Sequence, residues 1–121
     1  MPSWSPNWAD VRFDHQAVQA AADACERAAS VVRDTTGHGQ LLAAGARREG
    51  AGAWRLPFDE TLATVAARAE EVESRLRQAA QQLRESSRTA HAEQAARLES
   101  RQRWMLEAAA EPPAIGLSPP R

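Results

Sequence analysis

Between residues 14 and 50, small and apolar residues recur at Val18, Ala22, Cys25, Ala29, Val32, Thr36, Gly39, Ala43 and Ala46, in alternating steps of four and three. Steps of that size keep one face of an α-helix, so the pattern predicts a first helix over about 14–50. Asp14 stands where an N-cap belongs, ahead of a run of good helix formers. A second stripe runs Phe58, Leu62, Val65, Ala69, Val72, Leu76, Ala79, Leu83, Ser86 and Ala90, then drifts toward Ala95, Leu98 and Met105. It predicts a second helix over about 57–110, with Pro57 at its first position and Asp59 and Glu60 in the first turn, where the helix dipole favours acids. A helix of some fifty residues is about 75 Å long at 1.5 Å per residue, so its last turns should project past the first helix.

Two features interrupt the regularity. "TTGHGQ" places Gly37 and Gly39 inside the first helix, each costing about 1 kcal/mol relative to Ala, and predicts a kink or a broken turn there. "GAGAWRLPFDE", residues 50–60, gathers glycines, a Trp, a Pro and a Phe in one short segment. This predicts a corner over 51–57, where Gly50 and Gly52 end the first helix in the left-handed conformation. Trp54 would seal the open end of the hairpin with its ring and keep its indole N–H for a partner. Outside the helices, residues 1–13 carry Pro2, Pro6 and Asn7 around Trp4 and Trp8 and read as an extended segment. The tail over 111–121, with four prolines, reads as disordered.

The fold class that follows is all-α: an antiparallel two-helix hairpin, expected to form a four-helix bundle on dimerisation. Composition supplies the reason for a partner. Much of the 43% hydrophobic fraction is Ala, and only six residues are aromatic. Each Ala in place of a Leu gives up about 2.4 kcal/mol of possible burial at roughly 0.8 kcal/mol per CH₂. A two-helix hairpin lined this way cannot bury enough surface alone. The expected hairpin and partner interface is Val18, Ala22, Cys25, Ala29, Val32 and Leu42 on the first helix, with Leu62, Val65, Ala69, Val72, Leu76 and Leu83 on the second. Trp4 and Trp8 either fold back as a staple over the hairpin or contact a partner, and Trp104 is a third candidate contact.

Charge narrows the function classes. The formal net charge is −1, every basic residue is Arg, and the signs are interleaved, which argues against nucleic acid, whose phosphates need a basic face. Pairs such as Glu71 with Arg75, Glu73 with Arg77, Glu93 with Arg97 and Glu99 with Arg103 mark solvated faces. Cys25 stands alone, and His15, His38 and His91 are far apart, so no disulfide, metal site or cofactor is expected. No Ser/His/Asp set or phosphate-cradling loop points to an enzyme. No apolar run reaches membrane-spanning length, and "MPSWSPNWADVR" has neither the basic start nor the apolar stretch of a secretory signal, so export would use a route without a cleaved leader. The heavy Ala and Arg usage points to a GC-rich genome, such as an actinobacterial one.

An Ala-rich helix, a mid-chain Trp in a short turn and a Glu/Arg-rich second helix resemble the Trp-X-Gly (WXG) helical-hairpin superfamily of type VII secretion substrates and partners. The likeness covers roughly residues 14–108. Trp54 matches the Trp of the turn motif, Arg55 its free position, and Leu56 stands where the family has Gly; Pro57 and Phe58 match the Pro and aromatic that open the second helix in many relatives. The resemblance implies a dimer with another helical hairpin or with the helical domain of a larger effector, and export in the folded state. It also implies an export signal of a Tyr followed four positions later by an acid. The chain has no Tyr, and Trp104 is followed at that distance by Ala108, with Glu107 one position early. A partner would then supply the signal. The expected role is a dimerisation partner or chaperone of a secreted substrate, cytoplasmic and exported alongside it; the alternative is a cytoplasmic coiled-coil adaptor that self-associates and stays in the cell.

Overall fold

The computed structural model describes residues 1–50 and 52–111, and the expectations for Ala51 and for residues 112–121 of the Pro-rich tail lie outside them. Two helices make up the regular structure, α1 (His15–Glu49) and α2 (Arg55–Ala110), and the described residues contain no strand. The protein is an all-α helical hairpin.

Residues Asp14–Ser86 form one compact unit, in which α1 packs on the first part of α2. Asp14 caps α1, its carboxylate accepting the Ala17 amide at 2.9 Å. Arg47 and Arg48 fill the last turn, where the dipole favours cations. Ala22, Ala29 and Ala43 of α1 are buried, and so is Ala80 of α2. Among the described residues no large side chain is fully buried. Helices meeting through methyl groups can approach closely, which suits an alanine seam.

Two sequence expectations change here. α1 runs through Gly37 and Gly39 without a broken turn. Ala29 is buried before the glycines and Ala43 one turn beyond them, so packing on both sides holds the helix through its weakest propensity. The seam on α2 also differs from the even four-and-three stripe. Leu62, Ala69, Leu76 and Leu83 are half-buried as the stripe predicts, but Val65 and Val72 are exposed, and Ala66, Glu73 and Ala80 turn inward beside them. At Ala66 and Ala80 a β-branched side chain would hold the helices apart, and an Ala lets them close.

The second unit comprises Met1–Phe13 and the chain from Ser87 onward. Here α2 is partnered by the N-terminal segment, which lies against it without helix or strand. Among its described residues Pro6 and Ala90 are buried.

Candidate functional site

The corner is built around Trp54. The Gly50 amide closes α1 by donating to the Ala46 carbonyl at 3.0 Å. Gly50 itself is extended, with φ −122° and ψ 143°, so it does not end α1 in the left-handed conformation expected of it. Its lack of a side chain serves a steric purpose: a Cβ there would run into the six-membered ring of Trp54. Gly52 carries the positive φ of the turn, 126°. The Arg55 amide donates to the Gly52 carbonyl at 3.2 Å, and the Phe58 amide to the Trp54 carbonyl at 3.0 Å. Helix α2 therefore starts two residues earlier than Pro57, which occupies the third helical position. Nothing is lost, since the first turn has amides without helical partners in any case. Leu56 is helical and exposed, and this backbone asks for no glycine at that position.

The Trp54 and Phe58 rings meet edge to face, centroids 5.3 Å apart. Trp54 stays 41% exposed and so sits on the corner more than it seals it. Arg47 and Asp59 bridge the two helix ends at 2.6 Å.

Up from the corner, the two helices flank an apolar groove of about 330 Å³, with Val31, Val32, Thr35 and Gly39 on one side and Leu62, Val65 and Ala66 on the other. Val31, Val65 and Val72 are exposed. Leu42, three turns on from Val31 and so on the same side of α1, is 63% exposed. The expected interface residues thus divide. Ala22 and Ala29 are buried in the seam; Val18, Cys25, Val32, Leu62, Ala69, Leu76 and Leu83 are half-buried; Leu42, Val65 and Val72 face outward. Of the turn motif, Trp54, Arg55, Leu56 and Pro57 are exposed and Phe58 is half-buried.

Below the groove, Arg84 reaches from α2 to two acids of α1, Asp23 at 2.8 Å and Glu26 at 2.6 Å. The Glu26 hydrogen bond, and after it the bond from Asp23, raises the affinity of this guanidinium for its proton. These ion pairs tie α1 to α2 at mid-hairpin.

In the second unit Trp4, Trp8 and Trp104 come together. Trp8 and Trp104 rings are 5.4 Å apart at 88°, the Trp104 indole donates to the Trp4 carbonyl at 2.9 Å, and the Trp4 indole donates to Glu107 at 2.7 Å. The Arg103 guanidinium lies 5.1 Å over the Trp4 ring. Sequence reasoning left open whether Trp4 and Trp8 would staple the chain, and they do so on α2. It missed Gln94, Arg97 and Arg101, which hold the same segment. The pairing of Glu93 with Arg97 places Arg97 on a solvated face in the sequence reading, which singles out neither Gln94 nor Arg101, and the one available signal was their common spacing with Trp104.

Among the described residues no helix is long and apolar enough to cross a membrane. The chain matches no family model, no curated protein and no solved structure.

Proposed function

We propose that this protein is a binding module: a small helical hairpin that pairs with a second hairpin, or with the helical domain of a larger effector, as a dimerisation partner or chaperone in type VII secretion. One observation carries the reading. Among the described residues the buried core is Ala22, Ala29, Ala43, Ala80 and Ala90, while Val31 and Val65 stay in water on the rim of a groove between the helices, and Leu42 and Val72 are exposed as well. Burial of alanine methyls contributes little, and covering the groove with another helix pair supplies the missing apolar contact. The turn "WRLPF" around Trp54 adds the resemblance to the Trp-X-Gly hairpins. The protein has no catalytic role in this reading, and its partner is a protein surface rather than nucleic acid, since its charges alternate in sign. It resides in the cytoplasm and leaves the cell with its partner.

The export part is tested with a tagged copy in an actinobacterial strain and in the same strain lacking the secretion ATPase. Tag in the culture filtrate of the first and not the second supports the proposal. Tag retained in the cells of both, with a partner hairpin co-expressed, counts against it.

A second reading, the self-associating adaptor, draws on Leu98, Met105 and Leu106, which are exposed on the last turns of α2. Self-association that survives Leu98→Ser with Met105→Ser would remove its basis.

A further inference from the structure

Residues 4–11 are held on α2 in the manner of a bound peptide. Gln94, Arg97, Arg101 and Trp104 follow one another at three, four and three residues, so they form one row along a single face. Gln94 accepts the Val11 amide at 2.7 Å and donates to the Asp10 carboxylate at 3.0 Å. Arg97 donates to the Ala9 carbonyl at 3.0 Å. Arg101 donates to the Asn7 carbonyl at 3.0 Å, the Ala9 carbonyl at 2.7 Å and the Asp10 carboxylate at 2.9 Å. Trp104 donates to the Trp4 carbonyl.

Most of these bonds reach main-chain atoms, which any extended segment offers. Three side-chain features add selectivity: the Trp4 ring under Arg103, Pro6 buried beside it in the chain, and the Asp10 carboxylate between Gln94 and Arg101. Proline fixes its own φ near −65° and so favours the extended form before binding. The occupant is also partly open to water. Trp8 is 51% exposed, and the polar contacts lie at the solvent boundary, where each contributes little net free energy.

We propose that this face of α2 is a receptor site for an extended peptide segment of another protein, bearing an aromatic residue two positions before a proline and a carboxylate four positions after it. Residues 4–11 are its internal, displaceable occupant. The site shares no residue with the hairpin groove, and the partner reading can fail without it or stand without it.

The probe is a synthetic peptide with the sequence of residues 2–13, PSWSPNWADVRF, carrying fluorescein at its C-terminus. Its binding is read by fluorescence anisotropy against the full-length chain. In the wild type the tethered segment competes at an effective concentration in the millimolar range, which suppresses binding. Trp4→Ala with Asp10→Ala weakens the tethered copy and leaves α2 untouched. This variant should bind the peptide at least about tenfold more tightly than the wild type does, and adding Arg101→Ala should abolish the gain. Equal affinity for wild type and variant, no binding to either, or binding indifferent to Arg101→Ala would overturn the proposal. Circular dichroism checks that the variants keep their helix; where the double variant does not, Asp10→Ala alone carries the same comparison.

Discussion

Replacing Gly50 by Ala isolates the contact on which the corner rests. The backbone at Gly50 is extended, a conformation any residue adopts, and its amide bond to Ala46 would survive the change. With the corner otherwise empty, Gly→Ala would stabilise the protein by about 0.4–1 kcal/mol, because the unfolded chain loses freedom. The corner is not empty. The new methyl would overlap Cζ2 of Trp54, whose ring is also engaged edge to face by Phe58 and cannot retreat without giving up that contact. Overpacking of this kind costs about 1–3 kcal/mol. Gly50→Ala should therefore destabilise the wild type yet stabilise a Trp54→Ala background; the unfolded-chain effect is common to both and cancels, so the coupling is the overpacking cost itself, about 1–3 kcal/mol. Urea unfolding followed by circular dichroism at 222 nm, on the four members of the cycle at one protein concentration, measures it. A coupling below about 0.5 kcal/mol, within ordinary additivity, would mean that the ring is not seated on Gly50 and that the corner is held some other way.

Three further outcomes follow from the same geometry. Val65→Ser with Val72→Ser removes two roughly half-exposed valines, together about one side chain's worth of apolar cover, or about 2 kcal/mol; association measured by sedimentation equilibrium should weaken about 30-fold with helicity unchanged. Arg84→Ala should lower the thermal midpoint and reduce its dependence on salt, because the Asp23 and Glu26 pairs are then gone; an unchanged midpoint and salt slope would show that these pairs do not hold the hairpin. Asp10 is held below its ordinary pKa of 3.8, first by the Gln94 hydrogen bond and then by the Arg101 hydrogen bond and charge. Its contribution to docking of the N-terminal segment is therefore complete above pH 3.8 and is lost as pH falls through the lower folded value. Tryptophan fluorescence should stay flat from neutral pH down to that range and then change, and Asp10→Asn should abolish the acid step.

Where hydrophobic spacing was regular, the sequence was easy to read. The stripe from Val18 to Val32 marks the packed face of α1, and Asp14 announces its start. The errors have local causes. Gly37 and Gly39 weaken a helix only in isolation, and the seam around Ala29 and Ala43 outweighs them. On α2 the choice between Val65 and Ala66, or Ala79 and Ala80, depends on how closely the helices approach, which a count of apolar residues does not contain. Gly50 was assigned a conformational task when its task is to leave room for the indole of Trp54, four residues further along the turn. The Arg97 and Arg101 contacts bridge some ninety residues of sequence, and nothing local distinguishes them from the solvated Arg of the pairs around them.

On the proposed reading, an alanine-seamed hairpin is incomplete until another protein covers its groove. The direct measurement is molar mass by light scattering across a wide concentration range, with circular dichroism melts on the same samples. The chain alone should run at a multiple of 13.2 kDa, with a melting midpoint that rises with concentration, or else melt at low temperature as a monomer and be stabilised by a hairpin partner. A cooperative monomer of that mass, stable at every concentration and indifferent to Val65→Ser with Val72→Ser, would contradict it.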